Sequence, residues 1–237
     1  FFNALASVAT QKIQSLSPED IAKSASAFAK VNFDDPSFFY ALAHEASNKI
    51  AEFSAKDLAL SAWAFGKRCV YVPEFFDAIE ICAKKNIISF DPEDIANTAW
   101  AFAQFHALKP RSELFEALGI QAQKEIVKFD LDKLAKTVRA LAAAGQRNEE
   151  LLKCLAAYAS PRNSELFTPQ NLADTAWAFA RIGLRQDALF SSLAAITIEQ
   201  IGGFTAQNLA DTAWAFAHAG FRQNARFFSS LAARTIQ

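Results

Sequence analysis

Apolar and polar positions follow a helical period through most of this chain, and one nine-residue pattern returns six times. It is clearest at Leu209-Ala210-Asp211-Thr212-Ala213-Trp214-Ala215-Phe216-Ala217. Leu172 to Ala180 is identical, Ile95 to Ala103 and Leu58 to Gly66 are close copies, and looser copies begin at Ile21 and Leu134. The anchors Ile21, Leu58, Ile95, Leu134, Leu172 and Leu209 are spaced 37, 37, 39, 38 and 37 residues apart. Self-similarity at such a period is the signature of a repeat array. Four residues before each anchor stands a helix N-cap: Ser17, Ser54, Asp91, Asp130, Thr168 and Thr205. Pro18, Pro92 and Pro169 follow at the first helical position, where a missing N–H costs nothing.

Each pattern therefore predicts a first helix, A, followed by a short turn. Gly145, Gly183 and Gly220 stand where a left-handed cap is wanted, and Pro36, Pro73 and Pro110 read as stops in the earlier repeats. A second helix, B, is marked by a bulky pair: Phe38-Phe39, Phe75-Phe76, Leu114-Phe115, Leu151-Leu152, Leu189-Phe190 and Phe227-Phe228. Three residues after each pair an apolar residue (Leu42, Ile79, Leu118, Leu155, Leu193, Leu231) keeps the period. Two short helices per repeat cannot bury their faces alone, so they stack on neighbours. The fold expected is all-α, a right-handed α-solenoid of two-helix repeats. Residues 1–16 read as one helix, the second of a truncated repeat. The repeats that follow are 17–53, 54–90, 91–129, 130–167, 168–204 and 205–237. Ser160 to Ser164 interrupts helix B of the fourth repeat and is the candidate bend.

At about 100° per residue the pattern separates into faces. Positions one, five and eight form the core face. Positions two and nine flank it on one side, four and seven on the other, and both flanks are small, so successive A helices are expected side by side. Positions three and six, with the residue after the pattern, point outward and line the concave face. That stripe reads Lys23, Ser26, Lys30; Leu60, Trp63, Lys67; Asn97, Trp100, Gln104; Lys136, Arg139, Ala143; Asp174, Trp177, Arg181; Asp211, Trp214, His218. It varies between repeats while the packing positions do not, as in arrays that contact a linear ligand.

Charge adds to this picture. The chain is net −1, but the stripe carries six cations and two acids, +4, so basic residues gather on it. Two roles fit the tryptophans: an indole covering the seam between A helices, or a platform on which an unpaired base stacks. Arg147, Arg185 and Arg222, each two residues after a turn glycine, are secondary phosphate candidates. The near-neutral total gives no general argument for nucleic acid or membrane. No run of 18 apolar residues exists, so no membrane insertion is expected. The chain has no Met and opens on Phe1-Phe2, so a natural start is expected to be missing, which leaves room for a removed targeting peptide.

Catalysis is not expected. His44, His106 and His218 share no spacing, and HExxH, GxSxG, GxxxxGK and GxGxxG are absent. Glu19-Asp20 and Glu93-Asp94 lie in first helical turns, where the helix dipole accounts for them. Cys69, Cys82 and Cys154 have no metal-ligand spacing and read as buried or half-buried free thiols. No metal, cofactor or small-molecule substrate is implied.

Units near 38 residues with a phrase like Asn208-Leu209-Ala210-Asp211-Thr212-Ala213-Trp214-Ala215-Phe216-Ala217 resemble the octotricopeptide and heptatricopeptide repeat proteins of algae and protists, which are similar in architecture to pentatricopeptide proteins. The proline-rich PPPEW-type signature of octotricopeptide repeats is absent. The resemblance spans almost the whole chain and implies an organellar protein, of mitochondrion or plastid, that binds single-stranded RNA or rRNA in transcript processing, stability, translation or ribosome assembly. The alternative is a structural scaffold docking protein subunits of a large organellar ribonucleoprotein such as a ribosome.

Overall fold

The computed structural model describes residues 1–221 and 225–235. Within them the chain is all-α, with thirteen α-helices, six 3₁₀ segments and no strand. The packing divides into two compact units, residues 1–124 and residues 125–237.

In the first unit the A helices are α2 (Pro18–Lys30), α4 (Ala55–Lys67) and α6 (Pro92–Gln104). The B helices are α1 (Phe2–Gln11), α3 (Pro36–Lys49), α5 (Pro73–Lys85) and α7 (Ser112–Lys124). In the second unit the A helices are α8 (Leu131–Ala143), α10 (Pro169–Arg181) and α12 (Ala206–His218). The B helices there are α9 (Glu149–Tyr158), α11 (Asp187–Gln200) and α13 (Ala225–Thr235). Within each unit the A helices pack most extensively on one another and each is backed by its own B helix, the layering of a repeat solenoid.

Each A helix starts at the cap read from the sequence. The side chains of Ser17, Ser54, Asp91, Asp130, Thr168 and Thr205 each accept from the backbone N–H three residues on. In five of the six that third residue is Asp or Asn (Asp20, Asp57, Asp94, Asn171, Asn208) and its side chain accepts the N-cap N–H in return, closing a capping box. The acids in these first turns are thus ligands of the backbone as well as partners of the dipole. The fourth repeat has Lys133 there, and its ammonium pairs with the Asp130 carboxylate instead.

Five of the six A helices leave by a left-handed turn; α6 does not. Gly145, Gly183 and Gly220 all have φ of 74°. Asn32 and Cys69 hold the same place in the first unit, at φ 53° and 54°. Pro36 and Pro73 are therefore not stops: they occupy the first turn of α3 and α5, where a fixed φ pre-forms the helix. The turn position also leaves the Cys69 thiol exposed rather than buried.

Helix B ends in a 3₁₀ turn, and an extended residue then leads to the next cap: Leu16, Phe53, Phe90, Phe129, Phe167 and Phe204. The five phenylalanines are buried. They fix the entry angle of five of the six A helices from the position before the N-cap, and Leu16 stands there before α2. Residues 1–16 follow this rule and are not one helix: α1 stops at Gln11 and Ile13–Ser15 is 3₁₀. Lys49 at the end of α3 caps that turn, donating to the carbonyls of Gln14 and Leu16 at 2.8 Å each. The interruption at Ser160 is a longer 3₁₀ segment, Pro161–Leu166, broken at Asn163.

The core of the first unit is a run of phenylalanine rings. Phe28 and Phe38 lie 4.4 Å apart, Phe39 and Phe65 5.5 Å, Phe65 and Phe75 4.9 Å, Phe76 and Phe102 5.1 Å. Pattern position eight thus meets the bulky pairs of the B helices. Tilted and edge-on pairs at these distances add about 0.5–1.5 kcal/mol each beyond area burial. Terminal A helices show which flank faces which way. In α2, Ala22 and Ala29 are buried and Ala27 is exposed; in α12, Thr212 and Ala215 are buried and Ala210 and Ala217 are exposed. Positions two and nine thus face the next repeat, four and seven the previous one.

Candidate nucleic-acid interface

On the first unit the stripe is open at its C-terminal end. Lys30, Lys67 and Gln104 close α2, α4 and α6 and are exposed. Lys30 and Lys67 have no ion pair among the described residues. Lys23 is exposed and pairs with Glu19 at 2.6 Å, a contact worth little in water. Trp63, Asn97 and Trp100 are half-buried and Ser26 is buried. Trp100 covers the seam to α4: a Cβ added at Gly66 would stand 3.2 Å from its ring and 3.1 Å from Ala101 Cα. A side chain at position 66 would press on this indole and on the α6 backbone.

On the second unit the stripe is crossed by an ion cluster. Arg139 on α8 lies 3.0 Å from Asp174 Oδ1 on α10 and donates to Asp211 Oδ2 on α12 at 2.7 Å. The Asp174 contact is off the line of a hydrogen bond and acts as a charge pair. Gln170 donates to Asp174 at 2.8 Å, Gln207 donates to Asp211 at 2.9 Å, and Asn208 donates to Gln170 at 2.8 Å. Asn171 donates to Asp132 on α8 at 2.6 Å. Polar side chains thus connect three repeats. Burial pushes the Asp174 carboxyl up to about 6, against the pull of Arg139 and Gln170. Asp94 on α6 is pushed to about 6 by burial and by Asp91 beside it in the cap.

Arg139 therefore differs from its expected role on a phosphate: its charge is spent between two carboxylates. Its guanidinium also lies 4.6 Å from the Trp177 ring centroid. Trp177 stacks on Trp214 at 5.7 Å, and Trp214 on His218 at 4.6 Å and 12°. The result is a column of guanidinium, two indoles and imidazole. It is closed at the arginine and exposed at Trp214 and His218. Lys136 is half-buried, while Arg181 is exposed with no ion pair among the described residues. In the turns, Arg147 pairs with Glu149 at 2.6 Å and Arg185 with Asp187 at 3.4 Å, all exposed; Arg222 lies outside the described residues.

The cluster left a signal in the sequence. The one repeat with Arg at position six is followed by the two with Asp at position three. Helical phase puts these residues on one face, but which cation meets which acid depends on how closely the helices approach. Among the described residues no three His, Cys, Asp or Glu side chains converge to hold a metal ion, and no helix is long and apolar enough to cross a membrane.

Stacked two-helix repeats with a variable, partly basic and aromatic outward stripe place this chain in the class of helical-repeat proteins. The sequence model of one family, the RNA-editing substrate-binding complex 6 protein, matches residues 1–160 and again residues 109–237. The chain belongs to that family, an RNA-associated family of helical proteins. No curated protein matches it.

Proposed function

We propose that this chain is a single-stranded-RNA-binding subunit of an organellar ribonucleoprotein of the RNA-editing substrate-binding kind. The carrying observation is that cations without acid partners among the described residues and exposed stacking rings occupy the outward stripe: Lys30 and Lys67 on one unit, Arg181, Trp214 and His218 on the other. Family membership supports it, since the family's name is that of a complex that binds RNA substrates. The resemblance to octotricopeptide and heptatricopeptide repeats supports the organelle, mitochondrion or plastid. The activity is binding rather than catalysis: the two carboxyls with strongly raised proton affinity, Asp94 and Asp174, are tied into a cap and an ion pair.

With about three phosphates neutralised, affinity for a single strand falls with a log–log salt slope near −2. Filter binding over a salt series measures it, and replacing Lys30, Lys67 and Arg181 together by Glu removes most of the affinity. A flat salt response, or binding indifferent to the triple replacement, refutes this function.

One observation favours the scaffold as a second function. Ile81 and Ile120 hold the same register on successive B helices of the first unit and are 66% and 48% exposed, with Ile88 nearby in sequence at 79%. Exposed branched apolar residues at a repeated position suit a protein partner. Ile81→Lys with Ile120→Lys then blocks incorporation into the complex and spares RNA binding.

A further inference from the structure

The turns closing α10 and α12 border an open cavity of about 310 Å³, edged by Gly183, Arg185, His218 and Gly220. It lies at the open end of the aromatic column. The other end is capped by Arg139, so a further flat ring can be added only at His218. Both glycines are held at φ 74°, and the Arg185 guanidinium lies over Gly220, where a Cβ would stand 3.5 Å from Nη1. The negative ends of two helix dipoles face the same region, so an anion there depends on side chains, not backbone N–H groups. Arg185 supplies that charge. Its bond to Asp187 is long and exposed, so a phosphate can displace the carboxylate.

We propose that this cavity is a subsite for one unpaired nucleotide of a single-stranded RNA, with the base stacked on His218 and its phosphate on Arg185. The proposal rests on the RNA-binding function above and locates it: on the second unit the strand passes over the C-terminal ends of the A helices. The half of the stripe nearer the helix N-termini belongs to the Arg139–Asp174–Asp211 cluster, whose net charge repels phosphate.

The test is titration of a short fluorescein-labelled oligoadenylate into the full chain and its variants at low salt. His218→Ala removes the ring and is expected to weaken binding roughly 5- to 150-fold, the range of one base–aromatic stack. His218→Phe, which keeps a flat ring, is expected to restore most of it. Arg185→Ala is expected to weaken binding and to lower the magnitude of the salt slope by about 0.7, the loss of one phosphate contact. Both side chains are exposed, and circular dichroism melting is expected to be unchanged. Unchanged affinity in His218→Ala and Arg185→Ala, while Lys30→Glu with Lys67→Glu weakens binding, overturns the subsite and leaves the RNA function standing. A wild-type chain that binds no single-stranded RNA overturns both.

Discussion

The outward stripes of the two units use the same helix positions for different ends. On residues 1–124 the stripe keeps its charges in solvent: Lys30 and Lys67 end their helices without acid partners among the described residues, and the indole of Trp100 is spent on a seam against Gly66. On residues 125–237 charge turns inward, with Arg139 held by Asp174 and Asp211, and the indoles of adjacent A helices stack on each other in a column that ends exposed. A repeat fixes where a side chain is presented. Whether it is available to a ligand depends on what the neighbouring repeat presents beside it. Counting stripe charges therefore overstates the second unit: its three cations and two acids include one cluster in which a single cation is shared by both acids.

The largest effect that would sharpen this contrast is expected from Arg139→Ala. It strands two carboxylates, one of them buried, and removing one partner of a buried cluster costs about 3–5 kcal/mol. Urea unfolding should show a loss near the lower end, because the Arg139 side chain is 24% exposed. Lys67→Ala, the exposed cation of the first unit, should cost under ~0.5 kcal/mol. Equal effects would break the comparison. Next is Gly66→Val, which drives a branched side chain into Ala101 and Trp100 and is expected to cost about 1–3 kcal/mol by overpacking. Pairing it with Trp100→Ala should recover part of that loss if the indole is a seam residue. Two independent losses that simply add would refute the seam role.

The smallest effect is a pH signature. The Asp174 carboxyl titrates near 6 in the folded chain and at its ordinary value of 3.8 when unfolded. Between those values the folded state holds the extra proton, so this group's stabilisation is present below about 3.8 and is lost as pH rises through about 6. Asp174→Asn keeps an oxygen for Gln170 and removes the titration. The melting temperature of Asp174→Asn relative to wild type should therefore climb between pH 4 and pH 7. No change in that difference would mean that Arg139 dominates burial at this site.

Much of the site was legible as a list and little of it as an arrangement. Helical phase alone placed Trp177, Trp214 and His218 outward, and the A-helix caps were readable from Ser17 to Thr205 because a helix start makes a local demand on one side chain. The capping-box partners Asp20 and Asp94 escaped because first-turn acids already had an explanation in the dipole. Pro36 and Pro73 were misplaced because proline marks a boundary without saying which helix it belongs to.

What the sequence determined by itself is whatever depends on neighbours along the chain: the period, the helix faces, the caps, and the glycine turns at 145, 183 and 220. What only the tertiary structure decided is whatever depends on neighbours in space. Arg139 meets Asp174 and Asp211 from 35 and 72 residues away, and His218 becomes the open end of a column because Trp177 lies beneath Trp214. Repetition determines which faces meet; the distance between helices, set by small residues such as Gly66, decides which side chains are left free for a ligand.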